Sequence, residues 1–266
     1  MLLAVDVGNT QTSIGLFSDQ RTRRPDEDLV DHWRLSSHGG RTGDEWALVL
    51  QELLAFHGLG FDDTIRGFVV SSVVPRITAA LRTMAGRYLG VRPVVVGPGV
   101  RTGMPVLYRN PNEAGADRIA NAVGAFDLYG GPVVVVDFGT ATTVDAVSAK
   151  GEFLGGAILP GIELSLEALF TRAAGLRRVE LVEPREVIGR STADSILSGA
   201  VYGFAAMVDG ICTRFRAELG EDVTVVGTGG IAPFILPYTS QVAYHEPFLT
   251  LHGLRLVWER NQIELG

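Results

Sequence analysis

The run Val5-Asp6-Val7-Gly8 returns as Val136-Asp137-Phe138-Gly139, 131 residues later. In each copy an apolar strand ends in Asp-x-Gly, passes through a Thr-rich turn and enters a second strand; kept in the same register, Thr12 falls opposite Thr143. A repeat on this scale predicts two related α/β halves, because each copy opens the same kind of strand series. The first third of the chain reads β-β-β-α-β-α-β, with strands at 2–6, 13–17, 30–35, 67–72 and 93–96. Thr42 and Glu45 have the spacing of a capping box that opens the first helix, with Gly58 placed at C′, and Pro75 opens the second, which ends near Gly90. Residues 97–112 read as a loop punctuated by Pro98, Pro105 and Pro111. A helix follows, opened by Asn112 or Glu113 and carrying Ile119, Ala122, Val123 and Phe126 on one face. Strands at 133–136, 152–158 and 223–226 belong to the second half, and the predicted division is 1–126 and 127–266.

The 266 residues suffice for two modest cores, and 46% hydrophobic against 20% charged is a globular balance. A net charge of −7 argues against nucleic acid as a partner, since phosphate contacts dominate such binding. Arg21, Arg23 and Arg24 run straight into Asp26, Glu27 and Asp28, which predicts a solvated hairpin tip. The lone Cys212 sits in an apolar helical pattern and is expected to be a small core residue. The N-terminal run lacks a basic segment, and no apolar run approaches a membrane span, so a cytoplasmic protein away from membranes is expected.

Asp-x-Gly turns suit phosphate chemistry. The glycine lets a phosphate approach the backbone, where successive N–H groups form an anion nest, and the hydroxyls of Thr10, Thr12 and Ser13 or of Thr140, Thr142 and Thr143 add donors. An aspartate ending an apolar strand needs solvent, a partner or a cation. Two of them suit a metal–nucleotide complex, with Asp6 holding Mg²⁺ directly or through water. The later run Gly227-Thr228-Gly229-Gly230-Ile231-Ala232 fits a dinucleotide pattern weakly, because Pro233 and Pro237 interrupt the helix that pattern needs. A glycine pair beneath an adenosine fits it better. Walker A, G-x-S-x-G and H-E-x-x-H motifs are all missing, and the five histidines show no metal spacing.

Together these residues resemble the acetate kinase, sugar kinase and actin group of ATPases, and within it type III pantothenate kinase. Four segments carry the resemblance: Asp6-Val7-Gly8-Asn9-Thr10-Gln11-Thr12-Ser13, Gly115-Ala116-Asp117-Arg118-Ile119-Ala120-Asn121, Asp137-Phe138-Gly139-Thr140-Ala141-Thr142-Thr143 and Gly155-Gly156-Ala157-Ile158-Leu159-Pro160-Gly161. The resemblance implies a duplicated actin-like (ribonuclease H-like) α/β fold, two βββαβαβα halves around a nucleotide cleft. It implies ATP-dependent phosphorylation of pantothenate to 4′-phosphopantothenate, the first step of coenzyme A biosynthesis, by a homodimer. ATP is then bound by Asp6, Val7, Gly8, Asn9, Thr10, Gln11, Thr12, Ser13 and Thr140. Pantothenate is bound by Tyr108, Gly115, Ala116, Asp117, Arg118 and Thr192, with Asp117 as proton acceptor and Asp137 as ligand of a monovalent cation, K⁺ or NH₄⁺. A kinase for another hydroxylated acceptor, or an inactive accessory relative, keeps the same fold.

Read on its own terms, Asp117 in a first helical turn is either a charge complementing the helix dipole or a base. Arg118 is either a surface residue or a bidentate clamp for a carboxylate. Ser191 and Asp194 have capping-box spacing beside Thr192. Ser195, Gly199 and Gly203 form a small-residue stripe, open either to packing within the chain or to a dimer contact.

Overall fold

The computed structural model describes residues 1–20, 22, 25–61, 65–173, 176–220 and 222–262. The chain forms two compact units: Met1–Asp127 together with Phe248–Gly266, and Leu128–Pro247. Residues 248–262 therefore pack with the first half, where the sequence reading put them in the second.

The first unit runs β1 (Leu2–Val7), β2 (Gln11–Phe17), α1 (Pro25–Asp28), β3 (Leu29–Ser36), α2 (Gly43–Ala55), β4 (Gly67–Ser72), α3 (Pro75–Met84), β5 (Val94–Val95) and α4 (Ala116–Tyr129). Its sheet has the order β3-β2-β1-β4-β5, with β1 antiparallel to β2 and parallel to β4. The second unit runs β6 (Val133–Phe138), β7 (Ala141–Val147), β8 (Phe153–Pro160), α5 (Ile162–Arg172), α6 (Thr192–Leu219), β9 (Thr224–Thr228), α7 (Ala232–Ile235) and β10 (Tyr244–His245). Its order is β8-β7-β6-β9-β10, with the same pairing senses. Position for position the two sheets match, which is the duplicated actin-like arrangement. α8 (Leu249–Gln262) follows β10 as α4 follows β5, in the place of the last helix of the second expected βββαβαβα half.

Alternation along β1 sends Leu3, Val5 and Val7 into a core with Trp46, Leu50 and Leu54 of α2 and Ile77, Leu81 and Met84 of α3. The opposite face, with Leu2, Ala4 and Asp6, is the one the C-terminal helix can reach: α8 packs on β1 and β4, so closely that a Cβ on Gly67 would lie 2.4 Å from Trp258 Cζ2. In the second unit Val134, Val136 and Phe138 of β6 pack with Ile162 of α5 and with Ala205, Val208 and Cys212 of α6.

The capping box is formed as expected: Glu45 N donates to Thr42 Oγ1 (3.3 Å) and Thr42 N to Glu45 Oε2 (2.7 Å). Gly58 takes a left-handed φ of 67°, but with Phe56 as C-cap it lies one residue beyond C′. Other expectations need correcting. A 3₁₀ turn occupies Pro111–Glu113, and α4 starts at Ala116 rather than at Asn112 or Glu113. The reason is local: Asn110 caps the start of the short turn through Asn112 N, and Ala114, in extended backbone with ψ 120°, ends it before the helix begins. The solvated tip needs correcting at Asp28, whereas Glu27 is exposed as expected. Arg21, Arg23 and Arg24 lie outside the described residues, but Asp28 is buried, its carboxylate 2.6 Å from Arg255 Nη1 and accepting from Thr22 N at 2.8 Å. A buried carboxylate needs such partners, and its cation comes from α8, far away in sequence. Finally, α6 is long and apolar enough by composition to cross a bilayer, against the expectation that no segment is. Its apolar residues Val201, Ala205, Val208 and Cys212 are buried, on a helix that contacts β6 and β7.

Candidate active site

Asp6 ends β1 half-buried, with Ser13 of β2 and Ser71 of β4 as its register partners on either side. Three polar side chains thus share one face at the C-terminal end of the parallel pair, where open α/β sheets bind ligands. Ser71 Oγ is fully buried without a hydrogen-bond partner. After Asp6 the chain turns tightly, Gly8 N donating to Gln11 O (2.9 Å), and leaves Asn9, Thr10 and Gln11 exposed. Val7 lies in the core and offers only its backbone. Thr12 is fully buried, and its hydroxyl is 2.9 Å from Ser37 Oγ, so it braces the turn from within.

The same plan recurs at Asp137, flanked by Thr143 of β7 and Thr228 of β9. The expected pairing of Thr12 with Thr143 is wrong by one residue. Thr12 sits opposite Val7 and Thr142 opposite Phe138, so Thr142 is the true equivalent; both are buried. Counting from the aspartates missed this because the first turn has one residue more. Thr140 is exposed at the second turn. Two glycines from neighbouring loops press on that turn. A Cβ on Gly161 would lie 2.2 Å from Thr140 O, and one on Gly229, whose φ is 99°, would lie 2.6 Å from Asp137 Oδ1. Beneath, Asp145 is almost fully buried and accepts from Thr143 Oγ1 at 3.2 Å.

Gly115, Ala116, Asp117 and Arg118 form the start of α4, where Ile119 N bonds Gly115 O (3.0 Å). The Asp117 carboxylate folds back on the helix end: its Oδ1 accepts from Arg118 N (2.8 Å) and would be 2.4 Å from a Cβ on Gly115. Gly115 is therefore the residue that lets Asp117 take this position. Arg118 is 6% exposed, which rules out a surface role, and its guanidinium carbon stands 5.9 Å from the ring centre of Tyr108. That is cation–π distance. Two residues expected at one binding site, ten apart in sequence, are thus in contact. Thr192 is exposed as the first residue of α6, whose N-cap Ser191 accepts from Asp194 N (3.1 Å). The predicted return bond to the Ser191 backbone is replaced by one from Ser191 Oγ to Asp194 Oδ2 (2.6 Å).

Ser71, Thr228 and Asp145 are polar residues of these sheets that sequence reasoning missed. Asp145 had a signal, a carboxylate within an apolar strand. Ser71 and Thr228 had none, since only strand register sets them beside the two aspartates.

The donor set fits a hard cation at Asp6: a carboxylate between two hydroxyls, one of them buried and unpartnered. Residues 2–214 match the family model for type III pantothenate kinase. The chain is 53% identical to the type III pantothenate kinase of Streptomyces avermitilis, over 98% of each chain. It is also 53% identical to that of Thermobifida fusca, over 98% of this chain and 100% of the relative. Among solved structures it resembles component A of (R)-2-hydroxyglutaryl-CoA dehydratase from Acidaminococcus fermentans, with a TM-score of 0.60, 15% identity and 99% of each chain covered. At that identity the likeness is one of fold.

Proposed function

The chain belongs to the type III pantothenate kinase family, and from that premise we propose that it transfers the γ-phosphoryl group of MgATP to the primary hydroxyl of pantothenate. Asp117 takes the hydroxyl proton as that oxygen bonds phosphorus; the bond from the γ-phosphorus to the β–γ bridging oxygen breaks, and ADP leaves. Such transfer has a loose transition state and depends mainly on positioning and charge neutralisation. The single observation that carries the reading is the start of α4, where Asp117 is held beside a buried Arg118 that stacks with Tyr108. A buried guanidinium next to a carboxylate base fits an acceptor that has both a hydroxyl and a carboxylate.

The other roles follow from local surroundings. Exposed N–H and hydroxyl groups from Gly8 to Gln11 hold the ATP phosphates, with Ser13 beside Asp6; Thr12 contributes through the shape of the turn. Asp6, Ser13 and Ser71 hold Mg²⁺, which supplies neutralisation of phosphate charge when bound. Asp137, between Thr143 and Thr228, holds a monovalent cation, K⁺ or NH₄⁺; oxygen donors of this kind support that role. Thr140 meets phosphate, Thr192 meets pantothenate, and the Gly229-Gly230 pair lies under the adenosine. The enzyme works in the cytoplasm as a homodimer. Support for the dimer comes from α6: Gly199, Gly203 and Gly210 are exposed, and a Cβ on any of them would meet nothing within 4 Å. Those glycines are therefore not used for packing among the described residues, whereas Ser195, the first member of the stripe, packs against Gly189.

The test is ADP release in Mg²⁺ and K⁺ against a panel of hydroxylated acceptors. Turnover with pantothenate is expected. Turnover only with another acceptor would reassign the substrate, and ATP binding without turnover would make the chain an accessory relative. Asp117→Asn is expected to lower kcat by about 10²- to 10⁴-fold, the range of a lost general base, with ATP binding retained.

A further inference from the structure

α8 packs on β1, β2 and β4, the strands that carry Asp6, Ser13 and Ser71. It also packs on α4, the helix that carries Asp117. There the two backbones touch: a Cβ on Gly253 would lie 1.8 Å from Ala120 O. On one side of this contact Thr250 Oγ1 donates to Asn121 Oδ1 at 2.6 Å. Further along, His252 Nε2 is 3.0 Å from Asp127 Oδ2. Asn121 is fully buried. It lies one turn beyond Asp117 and Arg118, at i+4 and i+3, on their stripe of the helix.

We propose that Asn121 and Thr250 are positioning residues, through which the C-terminal helix sets the rotation and height of the first turn of α4 and so the placement of Asp117 and Arg118. The backbone contact at Gly253 prevents approach or retreat, but a bare backbone contact leaves rotation about the helix axis weakly restrained. A short hydrogen bond one turn from the carboxylate removes that freedom. Since α8 is seated on the sheet that ends in Asp6, the same bond refers Asp117 to the phosphate side of the site. The Asp127–His252 pair joins the same helices about 15 Å from Asp117 along α4, ten residues at the helical rise, and therefore serves as an internal control. The proposal rests on the kinase reading above.

The experiment uses the full chain with Thr250→Val, Thr250→Ser and Asp127→Asn, reading steady-state kinetics and amide hydrogen exchange. Thr250→Val is expected to lower kcat/KM for pantothenate about tenfold, as misplacement of a reacting group does, with KM for ATP within about twofold. Exchange at Ile119 to Ala122 should quicken, and Thr250→Ser should restore both. Asp127→Asn should loosen the far end of α4 and leave kcat/KM for pantothenate within about twofold, because the catalytic turn keeps its own tie. Wild-type kcat/KM per folded molecule in Thr250→Val, or an equal loss in Asp127→Asn, would overturn the proposal. If Thr250→Val does not fold, Thr250→Ala is read in the same way. If the wild-type chain does not phosphorylate pantothenate, the kinase reading fails, and exchange alone decides: faster exchange in the first turn supports the positioning role, and unchanged exchange refutes it.

Discussion

Between the paired residues Val7 and Thr12 lie four residues, and between Phe138 and Thr142 lie three. This small inequality separates two hairpins that otherwise share a plan. Each has a carboxylate at the end of the first strand, hydroxyls on the neighbouring strands, and a shift in strand register at the far end, at Leu16/Phe17 in one and Ala146/Val147 in the other. The longer turn stands open: Asn9, Thr10 and Gln11 are exposed, and a Cβ on Gly8 would come no closer than 3.0 Å to Gln11 O. The shorter one is pinned by Gly161 and Gly229, each too close to admit a side chain. An open turn presents N–H groups to a ligand that arrives and leaves. A pinned turn holds its aspartate against backbone and suits a small ion that stays. Duplication supplied one scaffold, and the surrounding loops hold its two copies differently, as the uses proposed for them require.

The largest expected effect comes from exchanging the carboxylates. Asp6→Ala should reduce turnover about a thousandfold, since several kcal/mol of charge stabilisation are lost with the metal. Asp137→Ala should leave measurable turnover that K⁺ and NH₄⁺ no longer stimulate. Equal losses, with the cation response kept, would erase the functional distinction between the hairpins.

Next in size is a stability difference. Gly229→Ala should destabilise the fold by about 2–4 kcal/mol, combining a left-handed backbone with a clash that must be relieved. Gly8→Ala should stay below about 1 kcal/mol, because only one contact must give by a few tenths of an ångström. Urea denaturation measures both. Equal values would show that the second turn is not more tightly held.

The smallest effect is a silence. Cys212 is buried among the residues of the second core, and burial pushes its thiol up to about 12. At pH 8 it holds about 10⁴-fold less thiolate than thiol, so a thiol reagent should label it only as the second unit opens. Rapid labelling of the folded chain would mean that this unit, despite its pinned turn, opens readily.

Much of the fold is legible without coordinates. The Thr42–Glu45 box, Pro75 at a helix start and the strands on either side of Asp6 and Asp137 are encoded within a few residues, by hydrogen bonds and periodicities that act locally. The site is legible in part. Asp117 and Arg118 are recognisable from their motif, but the burial of Arg118 and its stacking on Tyr108 depend on how loop 97–112 folds over α4. Asp28 shows the same limit. Beside Glu27 and a run of arginines it reads as a surface charge, yet it is buried because Arg255 reaches it from the other end of the chain.

By itself, then, the sequence determined that two Asp-x-Gly hairpins would open two matching sheets, and which segment carries the proposed base. Only the tertiary structure decided that Thr142 and not Thr143 answers Thr12, that Ser71 and Thr228 stand beside the two aspartates, and that α8 returns to the first unit to brace α4. The reason is physical. Turn and helix signals arise from neighbours along the chain, whereas register, burial and helix crossing are set by partners hundreds of atoms away, whose contacts leave no pattern at either end.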